Sequence, residues 1–178
     1  LISDSGCPGL VIKISMTGIS AEEEGDTVRI TAKAGENWDD LVAYTVERGW
    51  RGLQNLSGIP GSVGAAPIQN IGAYGAEAGD TIESISAYDS ESGEIKNFTG
   101  EECRFAYRDS FFKTPAGKKF IICSVTFRLA KSSPLNFAYC GMEEYFKENG
   151  ITADDVSLAV LRKVVLSIRE NKLPSLLK

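Results

Sequence analysis

Apolar positions in this chain recur first with the two-residue period of strands and then with the three-to-four-residue period of a helix. In the glycine-rich centre they follow neither. Residues 9–15 (GLVIKIS) and 27–33 (TVRITAK) cluster or alternate β-branched side chains between glycine and acidic turns, which predicts two strands. Asn37 stands before Trp38, Leu41, Val42 and Thr45, spaced i, i+3, i+4 and i+7, with Gly49 just beyond; this predicts a capped amphipathic helix. Strands resume at 82–88 and 93–98, joined by Asp89-Ser90-Glu91-Ser92-Gly93 as a hairpin turn. Residues 120–129 are mostly apolar and predict a central strand.

After Lys131-Ser132-Ser133-Pro134 the pattern becomes helical. Residues 141–149 suggest a short helix, and Thr152-Ala153-Asp154-Asp155 has the spacing of a capping box, with Asp in place of Glu or Gln. The helix expected next carries Val156, Val160, Leu161, Val164, Val165 and Ile168 on one face and stops near Asn171, before Pro174. Strands surround helices without regular βαβ alternation, so the class is α+β.

Composition narrows the chemistry. The 178 residues suit one domain, and 19 basic against 24 acidic side chains give a net charge of −5. With no basic run, nucleic acid and anionic membrane surfaces are poor partners. No apolar run approaches the ~18 residues of a membrane helix, and no signal peptide opens the chain. The absence of histidine removes Ser-His-Asp and Cys-His nucleophile systems and every His-based metal site. Cys7, Cys103, Cys123 and Cys140 form no CxxC pair and read as reduced thiols of a cytoplasmic protein. The chain begins without methionine, in what reads as the end of a loop, which suggests a fragment.

The central stretch runs Gly58-Ile59-Pro60-Gly61-Ser62-Val63-Gly64-Ala65-Ala66-Pro67-Ile68-Gln69-Asn70-Ile71-Gly72-Ala73-Tyr74-Gly75. So little side-chain bulk lets another group approach the backbone, and successive N–H groups in such turns form nests for phosphate oxygens. The other reading is an ordinary long surface loop. Neither GxGxxG after a strand nor GxxxxGK[ST] is present.

The string IPGSVGAAPIQNIGAYG closely resembles the signature of the MurB family, the UDP-N-acetylenolpyruvoylglucosamine reductases of bacterial cell-wall synthesis. The likeness continues upstream through AGENWDDLVAYTVERGWRGLQNLSGIPG and downstream through ECRFAYRDSFFK, a strand ending in FRL, a tyrosine-containing loop and a helix ending in REN-KLP. The resemblance implies the FAD-binding fold shared with vanillyl-alcohol oxidase and p-cresol methylhydroxylase. It implies a partial FAD-binding domain at 1–132, a loop and helices completing that lobe at 133–172, and a stub of a linker at 173–178. It also implies a cytoplasmic enzyme that uses FAD, with NADPH as hydride donor, to reduce UDP-N-acetylglucosamine enolpyruvate to UDP-N-acetylmuramate.

By the same resemblance, Ile59, Pro60, Gly61, Ser62, Val63, Gly64, Ala65, Ile68, Asn70, Ile71 and Gly72 match the family's cofactor-holding backbone. Tyr74 matches a tyrosine beside the flavin and the nucleotide-sugar, Tyr139 a loop tyrosine on the sugar, and Lys172 a lysine on the diphosphate. Arg108, in Tyr107-Arg108-Asp109-Ser110, matches an active-site arginine, and a guanidinium can hold an enolate-like carboxylate bidentately without exchanging protons. Ser110 is not assigned as the family's general acid, although Asp109-Ser110-Phe111-Phe112-Lys113 looks like that serine's motif. The family's GGGSN loop, its substrate domain with the serine acid and its C-terminal glutamate have no match here. The expectation is therefore that this chain alone is inactive and binds FAD weakly or not at all. The rival readings are a non-catalytic flavin or nucleotide-sugar binding module and a decayed gene fragment.

Overall fold

The computed structural model describes Asp4, Gly6 and residues 8–172, apart from the side chains of Cys140 and Lys172. The expectations for Cys7 and for 173–178 lie outside the described residues. Strands β1 (Ile19–Glu24) and β2 (Thr27–Lys33) form a hairpin, and helix α1 (Trp38–Glu47) follows. A two-stranded ribbon, β3 (Gly72–Ala73) with β4 (Ala76–Glu77), sits inside the glycine-rich centre. A second hairpin, β5 (Ile82–Asp89) with β6 (Ile95–Thr99), precedes the long strand β7 (Phe120–Ala130). Helices α2 (Cys140–Asn149) and α3 (Leu158–Lys172) come last.

The main sheet is antiparallel throughout, in the order β1-β2-β7-β5-β6, so β7 is central as its apolar run predicts. Val28, Ile30 and Ala32 of β2 face the core with Val125, Phe127 and Leu129 of β7, following the two-residue period of a half-buried sheet. On β5 the buried positions Ile82 and Ile85 are three apart, and a register irregularity between Ile82 and Ser84 absorbs the extra residue. The exposed edge β1 carries Glu22, Glu23 and Glu24, charge that discourages pairing with another chain. Asp89 closes the β5–β6 turn. Its buried carboxylate accepts hydrogen bonds from Lys96 Nζ at 2.7 Å, Glu91 N at 3.0 Å and Ser92 N at 3.4 Å.

Helix α1 forms where Asn37 predicts it. The Asn37 Oδ1 accepts from Asp39 N at 2.9 Å and Asp40 N at 3.2 Å, and Trp38, Leu41, Val42 and Thr45 are buried. Trp38 meets Phe127 edge-on at 6.0 Å and donates its indole N–H to Leu56 O at 3.0 Å, which seats the helix on the sheet and on the start of the loop. A second apolar cluster, Met142, Phe146, Leu161, Val164, Val165 and Ile168, joins α2 to α3. Tyr74, Leu135 and Phe137 pack against it.

Two expectations fail in detail. Residues 9–15 form no strand: Leu10, Val11 and Ile12 are exposed, and the first strand lies ten residues further on, in β1. Their β-branched composition favours a pleated, half-buried surface, and no described strand pairs with them. The capping box at Thr152 is present, with Asp155 accepting from both Thr152 N and Oγ1, but it closes only a 3-10 turn. Helix α3 starts later, where Ser157 Oγ accepts from Val160 N at 3.2 Å, so Val156 lies before the helix.

Candidate functional site

The glycine-rich loop crosses from α1 to the β3–β4 ribbon. Its first part is pinned antiparallel to the start of α1, with Trp38 N donating to Gly61 O at 3.1 Å and Val63 N to Glu36 O at 2.9 Å. An accounting of backbone donors divides the residues assigned from the sequence. The amides of Val63, Gly64, Ala65, Ile68, Asn70 and Ile71 are spent on Glu36, Ala34, Ser62, Ala65, Pro67 and Ala66 carbonyls, respectively. Among the described residues, the amides of Ile59, Gly61 and Ser62 donate to no protein acceptor. Pro60 has no amide to offer. The open donors are therefore gathered at 59–62, on a stretch where Pro60 and Gly61 are exposed. Val63 and Ile71 turn their side chains into the core.

Asn70 is the knot of the second half of the loop. Its backbone is left-handed (φ 45°), and its buried amide donates to Glu77 Oε2 at 2.6 Å and Ala106 O at 3.1 Å while accepting from Gly79 N at 2.8 Å. Its side chain therefore organises the protein itself. Through Ala106 it fixes a tight two-residue hairpin, Ala106 N to Asp109 O and Asp109 N to Ala106 O, both 3.0 Å. Arg108 lies at the tip, at φ 54°, a conformation uncommon for a non-glycine residue and concentrated at functional sites. Its guanidinium reaches back to Asn70 O at 3.5 Å and to Gly72 O. Gly72 leaves room for this: a Cβ there would stand 2.7 Å from Arg108 Nη1 and 3.0 Å from Ala76 O, so the guanidinium would have to shift. Ser110 is buried and donates to Ile68 O at 2.6 Å while capping the turn at Phe111–Lys113, a loop-holding role.

Tyr74 and Tyr139 meet edge-on at 5.4 Å, although 65 positions separate them (139 − 74). Asn55 brings them together by donating to Tyr74 O at 2.9 Å and Asn136 O at 3.0 Å. Burial pushes the Tyr74 phenol above its ordinary value of 10.0, against the opposing pull of the Arg169 cation. Helix α3 is tied to the loop's start by Asp39, whose carboxylate accepts from Arg162 Nη1 at 2.6 Å, Arg162 Nη2 at 2.8 Å and Gly58 N at 2.6 Å. The hydrogen-bonded Arg162 guanidinium holds the Asp39 carboxyl below its ordinary 3.8. Lys172 closes α3, and its side chain lies outside the described residues.

Three recesses border this arrangement. An apolar one of about 380 Å³ runs from Ile12 and Ala34 to Ile121 and Ile122, with Ser62, Gly64, Ala65 and Ile68 along its edge. A second, about 450 Å³, gathers Gly72, Tyr74, Tyr107, Arg108 and Tyr139. A third, about 200 Å³, lies among Ile59, Gln69, Ile71, Gly72, Arg108 and Arg169. Of the assigned residues, Ile59, Ser62, Gly64, Ala65, Ile68, Ile71, Gly72, Tyr74, Arg108 and Tyr139 line these recesses, whereas Pro60, Gly61, Val63 and Asn70 do not. Sequence reading missed Ala34, Ile121 and Ile122, which carry only a strand pattern, and Arg169 and Asn55, which need three-dimensional placement. Cys103 is buried, its thiol pushed up to about 12 by burial, and takes no part.

The family described as FAD binding domain matches residues 1–99. A UDP-N-acetylenolpyruvoylglucosamine reductase from Alcanivorax borkumensis is 42% identical over 98% of this chain and 50% of its own length. The reductase of the same name from Bdellovibrio bacteriovorus is 43% identical over 98% of this chain and 51% of its own length. The chain therefore spans about half the length of the curated relatives it matches. The crystal structure of UDP-N-acetylenolpyruvylglucosamine reductase (MurB) from Thermus caldophilus superposes with a TM-score of 0.56 at 26% identity, over 79% of this chain and 43% of that one.

Proposed function

The chain belongs to the FAD-binding-domain family, and from that premise we propose that it is the flavin-holding half of a cytoplasmic, NADPH-linked reductase of UDP-N-acetylenolpyruvoylglucosamine. The observation that carries this reading is the meeting of the open-amide loop and Arg108 on one recess, at Ile59, Gly72 and Arg108. The residues present suit FAD. Unpaired amides at Ile59, Gly61 and Ser62 suit pyrophosphate oxygens, and the apolar recess beside Ser62 and Ala65 suits a planar ring. FAD, when bound, supplies the two-electron chemistry that no side chain here can supply.

The protein's own residues would orient the substrate and stabilise charge. Reduction of the enolpyruvyl double bond drives negative charge onto the adjacent carboxylate. Arg108 offers its remaining N–H groups to both oxygens, in a place fixed by Asn70 and Gly72 carbonyls before substrate arrives. Tyr74, Tyr139 and Lys172 are assigned to the nucleotide-sugar and its diphosphate. The proton that completes the reduction is assigned to the other half of the protein. Within the chain, a boundary at 132/133 separates the FAD-binding lobe from the loop and helices that complete it, a division supported by the two apolar clusters.

The test is a chimera in which this chain replaces its counterpart in the Alcanivorax borkumensis reductase. The chimera should oxidise NADPH only when the enolpyruvyl sugar is present, and Arg108→Met should collapse turnover by ~10²-fold or more. A folded, FAD-loaded chimera whose NADPH oxidation ignores the sugar would overturn the proposal.

A further inference from the structure

Residues 132–139 carry Tyr139 past the glycine-rich loop. Among the described residues, two side chains from outside this segment donate to it, Arg51 Nη1 to Ser133 O and Asn55 Nδ2 to Asn136 O at 3.0 Å. The second Nδ2 proton of Asn55 goes to Tyr74 O at 2.9 Å. Tyr74 and Gly75 are both left-handed (φ 50° and 74°), so they form the two-residue turn between β3 and β4, and that turn sets the direction of the Tyr74 ring. Asn55 itself is 1% exposed and lies in the 3-10 turn Gln54–Leu56, which Trp38 ties to α1 through Leu56 O. One amide on a buried turn thus grips the backbone of both tyrosine-bearing segments, and the two rings meet at 5.4 Å.

Both groups that face this amide are carbonyls, so it must present its nitrogen to them. Its Oδ1 is buried and has no hydrogen-bond partner among the described residues. An orphaned buried acceptor is a cost that leucine, with the same branching, would not carry. An amide serving stability alone gains by pairing both ends, whereas Asn55 pairs only the end that faces the tyrosine segments. Asn55 lines none of the three recesses, while Tyr74 and Tyr139 share one of them with Arg108.

We infer that Asn55 is a positioning residue for the nucleotide-sugar: it touches no ligand and acts by holding Tyr74 and Tyr139 together on the recess they share with Arg108. The inference rests on the proposed function for what the tyrosines bind. The amide fixes the two backbones before substrate arrives, so the ring pair is preorganised rather than assembled by binding.

The experiment uses the chimera, carrying Asn55→Leu, Tyr139→Ala or both, read by steady-state kinetics and thermal melting. Loss of two hydrogen bonds that orient the tyrosines should raise KM for the enolpyruvyl sugar about tenfold, with kcat within about twofold because Arg108 is untouched. The melting midpoint should stay close to that of the parent chimera, since the orphaned acceptor leaves with the donors. Because Asn55 acts through the tyrosines, KM of the double variant should lie within about twofold of that of Tyr139→Ala alone. A merely structural Asn55 would lower the midpoint and leave KM unchanged, or give a KM effect that multiplies with that of Tyr139→Ala. Either result, or a Tyr139→Ala chimera with unchanged KM, overturns the inference and leaves the proposed function standing. A chimera whose NADPH oxidation ignores the sugar overturns both. Should Asn55→Leu lose its cooperative melting transition, Asn55→Ala decides by the same KM comparison, and loss of folding there too marks Asn55 as structural and overturns the inference.

Discussion

Removing the Asp39 carboxylate should loosen helix α3 from the flavin-side loop, and the structure allows the cost to be worked out. Asp39 holds Arg162 through two charge-assisted contacts of 2.6 and 2.8 Å, with the two side chains 31% and 17% exposed. Hydrogen bonds to charged groups contribute about 1.5–3 kcal/mol, and this degree of exposure places the pair near the lower end. Asp39→Ala also removes the acceptor of Gly58 N, about 1 kcal/mol, and a favourable charge in the first turn of α1, about 0.5 kcal/mol. The expected loss is thus about 3 kcal/mol, of which about 1.5 kcal/mol is coupling to Arg162. Urea unfolding of the wild type, Asp39→Ala, Arg162→Met and the double variant measures both quantities in one cycle. Because the folded Asp39 carboxyl is held below its ordinary 3.8, its contribution is present above that value and is lost as pH falls through the folded one. A coupling below about 0.3 kcal/mol near neutral pH would refute the reasoning, since it would mean that the Asp39–Arg162 pair does not hold α3 to the loop.

Two further outcomes follow from the same structure. Gly72→Ala should cost about 1–3 kcal/mol of stability, because its methyl group meets Arg108 Nη1 and a fixed carbonyl, and in the chimera it should lower turnover in the direction of Arg108→Met; urea unfolding and steady-state kinetics check the two parts. Asp89 has its carboxyl held far below the ordinary 3.8 by hydrogen-bonded Lys96, so its stabilisation is full above that value and fails in acid; Asp89→Asn should flatten the acid limb of a stability–pH profile, and an unchanged limb would remove Asp89 from the cause.

Elements whose order depends on local pattern were legible. Helix α1 needs only Asn37 and a 3.6-residue apolar period, and β7 only a long apolar run, so both stand where the pattern puts them. Residues 9–15 carry equal β-branched character, but a strand is completed by its neighbour, and this property is invisible in the segment itself. The same limit governs the site. The glycine-rich string shows that a backbone can be approached, but which amides remain open depends on Glu36, Ala34 and their own loop neighbours. The resemblance matches Asn70 to the cofactor-holding backbone, and the string does not show that its side chain ties the loop to the hairpin. Arg169 shows the limit from the other side: a basic residue near a helix end has an ordinary explanation in the sequence, and its bond to Gly58 O at 3.1 Å and its place beside Arg108 need the fold.

The central claim is that backbone donors at 59–62, together with the recess behind them, hold FAD. A backbone amide spectrum of the chimera recorded during FAD titration tests it directly. The account predicts saturable shifts at Ile59, Gly61 and Ser62 and at the recess residues Ala34 and Ile122, with amides already bonded within the protein, such as Gly64 and Ile71, moving less. Saturable binding that leaves 59–62 unperturbed, or no saturable binding at all, would contradict it.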